Sequence, residues 1–378
     1  MHVSRIAWDH YRLPFAAGFH TARGALPARE GIVLRLSDGE GRCGLGEIAP
    51  LPPFGGSLDD ALALLEVLAP TLPGCPVAML IEQATAHPSM TTFPPATRQV
   101  VLGGLELAVC DLLAQAAGIP LARWLSDAES PPAIIPVNAT IGARDTAAAE
   151  RAAWQAVADG FGCVKLKVGS GDSPREEVAR VAAVRQALGP AVELRLDANG
   201  AWTPRQALAM LDALQPYNIA LVEQPTPPDD LDGLRLVRQH APGIPIAADE
   251  SASDAAAIER LITAAAADAI ILKPMLLGGP RPALALARRI QAAGLQVIVT
   301  SLLDSGIGVC GALHVAAALP PPLPACGLAT TALLADDLLR ESLTPQRGRL
   351  AVPQRPGPGI TLDDQALTYY RIQGATYG

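Results

Sequence analysis

Cys163-Val164-Lys165-Leu166-Lys167 opens the stretch that decides the fold. It continues through Leu196-Asp197-Ala198-Asn199-Gly200, Val222-Glu223-Gln224-Pro225, Asp249-Glu250-Ser251 and Leu272-Lys273-Pro274. Each charged cluster directly follows a short apolar run, and such runs bounded by turn residues read as buried parallel strands. From Lys167 to Asp197 is 30 residues, then 26 to Glu223, 26 to Asp249 and 24 to Lys273. One strand, one helix and two loops need about that much chain. Five successive βα units therefore each carry a charge at the C-terminal tip of the strand. In a (β/α) barrel those tips converge on one mouth, where active sites sit.

The barrel pattern extends outward from there. It begins near Ile134 to Gly142 and runs to a strand at Gln296 to Thr300, with Ala325 to Thr330 read as a last strand. Pro174, Pro204 and Pro280 stand where first helical turns should start, the position at which proline is tolerated. Residues 1–125 do not keep this rhythm. Residues 31–39 and 44–48 read as a hairpin, Ser57-Leu58-Asp59-Asp60 as a helix start, and 97–117 as a long buried helix. This is an α+β domain placed before the barrel. Within it, Tyr11 to Gly24 is rich in Gly, Pro and small residues and reads as a mobile loop that could bring His20 or Arg23 to a substrate.

Half of the 378 residues are apolar and 17% are charged, so the chain is globular. A net charge of −8 with no basic stripe argues against nucleic acid as a partner. The uncharged stretch 307–335 is broken by Pro320, Pro321, Pro322 and Pro324 into pieces too short to span a membrane. The six cysteines are scattered and form no CxxC pair, and the N-terminus shows no apolar signal core, so a cytoplasmic protein with reduced thiols is expected.

Asp197, Glu223 and Asp249 would lie on three adjacent strand tips. Like charges so close repel unless a cation sits between them, and an all-oxygen set suits Mg²⁺, for which Mn²⁺ could substitute. Asn199 and Glu250 would support the ligands from behind. Lys165 and Lys167, two apart on a strand, share a face, and two close ammonium groups are expected to depress each other's pKa, which suits one of them to act as a base. Lys273 would come from the opposite wall. A small-molecule carboxylate bound to the metal would have its α-carbon between the lysines. An isolated Lys-x-Lys is more often a solvated face, and a lone Asp at a strand end more often a cap. Here three acids and three lysines fall in barrel register in a chain poor in charge. A barrel serving only as a scaffold would be expected to lack one of them. Arg195 shares a face with Asp197, and its role is open.

These motifs resemble the enolase superfamily, in its muconate-lactonizing subgroup, together with Gly44-Leu45-Gly46-Glu47-Ile48-Ala49-Pro50 near the start. The resemblance implies a modified (β/α)₇β TIM-type barrel at 126–330, an α+β capping domain at 1–125 and a C-terminal segment at 331–378 returning to it. It implies Mg²⁺ on Asp197, Glu223 and Asp249, Lys167 as base, Lys165 as its electrostatic helper and Lys273 as the opposite partner. Homo-oligomers are compatible with it. The run Thr300-Ser301-Leu302-Leu303-Asp304-Ser305 and the following 325–337 segment are most similar to the o-succinylbenzoate synthase family, a menaquinone-pathway lyase. There Ser301, Ser305 and the His20–Arg23 loop would meet the succinyl end. Asp304 replaces the usual Glu of that run. A dipeptide epimerase should carry Asp-x-Asp on its last strand, and 326–330 holds no acid. N-succinylamino acid racemase and muconate cycloisomerase remain alternatives.

Overall fold

The computed structural model describes residues 1–21, 24–170, 173–241 and 243–378, with side chains for all of these except 17–21, 24–26 and 53. The chain opens with β1 (Val3–Thr21), β2 (Gly24–Asp38) and β3 (Cys43–Ile48). Helices α1 (Leu58–Leu68), α2 (Leu80–Ala86), α3 (Pro95–Ala117) and α4 (Leu121–Leu125) follow. Next come β4 (Ile134–Pro136) and β5 (Ala139–Ile141). Alternation then sets in: α5 (Thr146–Ala158), β6 (Cys163–Lys167), α6 (Pro174–Leu188), β7 (Glu193–Asp197), α7 (Pro204–Leu214), β8 (Ile219–Glu223), α8 (Leu231–His240) and β9 (Ile246–Ala248). It continues through α9 (Ala255–Thr263), β10 (Ala269–Leu272), α10 (Pro280–Ala292), β11 (Gln296–Val299) and α11 (Gly306–Ala317). The chain finishes with β12 (Arg349–Ala351), α12 (Asp364–Tyr370) and β13 (Arg371–Tyr377).

Strands β5 to β11 pair in sequence order as one curled sheet, and the pairs between them are parallel. Residues 326–327 bridge its two edges, to Val137 on one side and Thr300 on the other. The expected last strand is thus two bridging residues rather than six. The prolines just before it, which cannot donate to a ladder, keep the chain from pairing sooner. Helix starts follow the local chemistry: Ser173, Asp230 and Asp254 accept from backbone N–H groups of the first turn, and Thr203 with Gln206 forms a reciprocal capping box.

Alternation within the strands builds the mouth. Lys165 pairs in register with Arg195, and Lys167 with Asp197, which pairs with Glu223. Beneath them, inside the barrel, Leu221, Ala247, Ala269, Ile271 and Ile298 form an apolar plug. The charges therefore cannot sink inward and are held at the rim.

The second sheet is antiparallel, in the order β13-β1-β2-β3, and joins the N-terminal strands to the end of the chain. The 31–48 hairpin is present as β2 and β3. The 11–24 stretch is not an irregular loop. Over the described residues, 11–21 of β1 pair with β2 from Gly24 on as a two-stranded arm, with Phe19 opposite Leu26 and His20 opposite Ala25, and a register shift between Pro14 and Phe19. Helix α3 is long and apolar enough to cross a membrane, and most of it is buried inside the protein. It packs on β3 so closely that a Cβ at Gly44 would strike the Ala108 carbonyl, and one at Gly46 the Gly104 carbonyl. None of the six cysteines is bridged, and all but Cys43 are buried. Replacing Gly46 by Ala should cost about 1–3 kcal/mol of stability. A urea-unfolding midpoint equal to the parent protein's would contradict this close packing.

Candidate active site

The barrel mouth opens into a pocket of about 120 Å³. Its walls include Lys165, Lys167, Asn199, Glu223, Asp249, Glu250 and Lys273. Asp197 lies beneath, fully buried. Lys165 Nζ donates to Glu223 at 2.9 and 3.2 Å and lies 3.1 Å from Asp197 Oδ2. Lys167 Nζ donates to the same Asp197 oxygen and, at 3.0 Å, to Asn199 Oδ1. Lys273 Nζ pairs with Asp249 on the far wall, and the Phe54 ring centroid is 4.2 Å from it. Arg180 donates to the Lys167 carbonyl at 2.9 Å and fixes that strand tip.

Asp197, Glu223 and Asp249 are thus each engaged by an ammonium group. Among the described residues, no three His, Cys, Asp or Glu side chains converge as a ready-made metal cage. The expected ligands are neighbours, but they turn toward the lysines, which relieves the repulsion that like charges would otherwise feel. Residues suited to hold a cation are nonetheless here. Glu250 is buried with Oε2 unpartnered, while its Oε1 accepts from Asn199 Nδ2 at 3.0 Å. Burial raises the pKa of Glu223 and of Glu250, and the nearby Asp197 charge raises both further. A hard divalent ion among these oxygens would offset that cost.

Lys165 does not behave as the Lys-x-Lys spacing suggests. Burial works to lower Lys165, but Glu223 and Asp197 override it and its pKa rises. Asp197 falls, because Lys167 and Lys165 outweigh burial. The depressed lysine is Lys273, brought to about 7 by burial, with the Lys165 ammonium pushing the same way against the pull of Glu223. The pair on one strand shares two carboxylates, whereas Lys273 is more deeply enclosed.

Other expected residues divide. Ser301 lines the pocket, and its Oγ is 2.8 Å from Thr330 Oγ1. Ser305 does not reach it. Its hydroxyl is fully buried, donates to Glu47 Oε2 at 2.7 Å and caps α11. A residue that starts a helix spends its hydroxyl on the backbone and the cap domain, which corrects the expectation of substrate contact. Arg195 Nη1 donates to the Ala325 carbonyl at 2.8 Å and so supports barrel closure. The His20 side chain and the whole of Arg23 lie outside the described residues.

The sequence reading missed the apolar wall, made by Leu51, Phe54, Leu302, Leu303 and Leu333. It also missed Glu47, which accepts from Tyr11, from Ser305 at 2.9 and 2.7 Å and from Gly308 at 2.7 Å. Glu47 sits in the Gly-Leu-Gly-Glu motif, and an acid inside an apolar strand was the available signal. Asp304 is buried with no hydrogen bond to Oδ1; burial, then the Glu47 charge, raises its pKa to about 7.

The curled parallel barrel under an antiparallel cap, with charged strand tips facing one pocket, is the architecture of enolase-like proteins. Residues 147–366 match the enolase C-terminal domain-like family, and the chain belongs to the enolase superfamily, in its muconate-lactonizing subgroup. One relative is o-succinylbenzoate synthase of Thermobifida fusca (strain YX), 39% identical over 64% of this chain and 73% of its own length. Among solved structures, N-succinyl Arg/Lys racemase from Bacillus cereus superimposes with a TM-score of 0.90 at 25% identity, over 100% of both chains. A dipeptide epimerase from Cytophaga hutchinsonii, complexed with Mg and D-Ala-L-Val, gives 0.89 at 27%, again over 100% of both.

Asp304 carries a stability signature. Its pKa in the folded protein exceeds the ordinary carboxylate value of 3.8, so the folded state binds the extra proton and stability falls as pH rises from about 4 to about 7. Asp304→Asn should escape that loss. Its melting temperature relative to the parent protein should climb by several degrees from pH 4 to pH 7 and then level off. A difference independent of pH would show that Asp304 titrates normally.

Proposed function

We propose that the protein is an Mg²⁺-dependent o-succinylbenzoate synthase of the cytoplasm, dehydrating 2-succinyl-6-hydroxy-2,4-cyclohexadiene-1-carboxylate to 2-succinylbenzoate in menaquinone synthesis. Residues 1–125 act as the capping domain, 126–330 as the catalytic barrel and 331–378 as the returning segment. The observation that carries the proton-abstraction chemistry of this reading is the placing of Lys167 and Lys273 on opposite walls of one acid-lined pocket. The Thermobifida fusca relative supports the choice of substrate. So does 326–330, which offers no acid to hold an α-amino group.

Asp197, Glu223 and Asp249 would hold the ion, with Asn199 and Glu250 behind them. The bound ion would draw charge from a substrate carboxylate and acidify the adjacent C–H. Lys167, held by Asn199 and Asp197, takes the α-proton as its ammonium partner Lys165 steadies the developing negative charge. The C–O bond to the ring hydroxyl then breaks. Lys167 returns its proton to the departing hydroxide on the same face, water leaves and the ring is aromatic. Lys273 remains a cation on the other face, in contact with the Phe54 ring. Ser301, with His20 and Arg23, would contact the succinyl end.

A second reading is N-succinylamino acid racemase. The Lys273 pKa near 7 favours it, since a lysine that is readily neutral can act as a base on the opposite face.

Incubation with the diene and Mg²⁺ should give rapid loss of diene absorbance. N-succinyl amino acids in D₂O should gain little α-deuterium. Deuteration with slow diene loss would establish the racemase instead, and neither signal would point to lactonizing substrates. Lys167→Ala should lower kcat by about a thousandfold or more; near-normal turnover would exclude it as the base. Exhaustive chelation should abolish activity and Mg²⁺ should restore it. Full turnover by chelated protein would refute the metal requirement.

A further inference from the structure

Arg29 stands at the root of the arm, on β2 opposite Leu13 of β1, and its side chain is only 4% exposed. A guanidinium offers five N–H donors in a rigid fork and no acceptor, so burying one is tolerated only when the donors are met. Here Nε donates to the Leu303 carbonyl at 3.1 Å. Nη1 donates to the carbonyls of Pro50 at 2.8 Å and Glu30 at 3.0 Å. Nη2 donates to those of Leu302 at 3.1 Å and of Ala49. The counter-charge is Asp304, whose Oδ1 lies 4.0 Å from Nη2, so every directed bond goes to backbone.

Apart from that of Glu30, which neighbours Arg29 on β2, those carbonyls belong to two segments that line the pocket. Ala49 and Pro50 lead directly into Leu51 and Phe54, and Phe54 lies against Lys273. Leu302 and Leu303 form the loop after β11 and are joined to Arg29 across 273 and 274 residues of chain. Leu303 has φ of 60°, a left-handed conformation that branched apolar residues rarely adopt and that persists only when the surroundings over-determine it. The bond to its carbonyl from Arg29, and that from Leu302 N to Asp304 Oδ2 at 3.2 Å, supply the restraint.

We infer that Arg29 is a positioning and specificity residue. It fixes the spacing between the Leu51–Phe54 segment and the Leu302–Leu303 loop, and so sets which substrate tail fits beside the carboxylate-binding end. The role in specificity rests on the dehydration reading above; the clamp itself does not. Arg29→Lys keeps a positive charge near Asp304, but its point-like ammonium cannot reach five carbonyls.

The test compares the full-length variant with the parent protein in Mg²⁺. Amide hydrogen exchange over 301–305 and 51–55 should quicken by about tenfold or more, with β6, β7 and β8 unchanged. KM for the diene should rise by about tenfold, with kcat within about threefold. Unchanged exchange in both segments overturns the clamp. A fall in kcat at constant KM overturns the specificity role. If the parent protein leaves the diene untouched, the dehydration reading and with it the specificity role fail, while the exchange comparison still decides the clamp. Should Arg29→Lys fail to fold, Leu303→Ala keeps the carbonyl that Arg29 holds. It should raise KM by about tenfold with exchange unaltered, and an unchanged KM overturns the proposal.

Discussion

The pocket depends on a charge balance that the barrel imposes. Asp197, Glu223 and Asp249 are each at most 6% exposed, on adjacent strand tips above an apolar plug. Carboxylates held that way cannot remain unpaired, because both desolvation and mutual repulsion act against them. The three lysines answer this, two sharing Asp197 and one on Asp249. The arrangement is also chemically primed. The groups that neutralise the acids are those that could move a proton, and a divalent ion entering among the acids would release the lysines toward a substrate.

Much of this could be read from the sequence because charge is conspicuous in a chain with so little of it. A carboxylate or lysine closing each apolar run, at steps of 24 to 30 residues, leaves few alternatives to strand tips around one mouth. The register then follows from alternation alone: Lys165, Lys167, Asp197 and Glu223 share the inner face because strands have a period of two. The protonation order did not follow. Lys165 and Lys167 look like a mutually depressed pair in sequence, but the acids opposite Lys165 reverse its shift, and those acids arrive from other strands.

The remaining misses have the same origin. Ser301 and Ser305 look equivalent in a short motif, yet the chain turns into α11 between them, and Ser305 is consumed by capping and by Glu47. The arm looked irregular because Gly and Pro gather in it, whereas cross-strand pairing with β2 keeps it extended. The apolar wall brings residues near 51 beside residues near 302, and no local pattern announces such a meeting. Relatives of this chain include a synthase, a racemase and an epimerase. The lysine and carboxylate frame leaves that choice open. The part of the pocket that can decide it is the apolar wall.

The three strand-tip acids, now paired with lysines, are expected to form the binding site for a single divalent ion. Calorimetric titration of the protein with Mg²⁺ tests it most directly, alongside Asp197→Asn, Glu223→Gln and Asp249→Asn. One ion per chain is expected in the parent protein, with a loss of affinity of about a hundredfold in each variant. Undiminished Mg²⁺ binding in all three variants, or none in the parent protein, would contradict it.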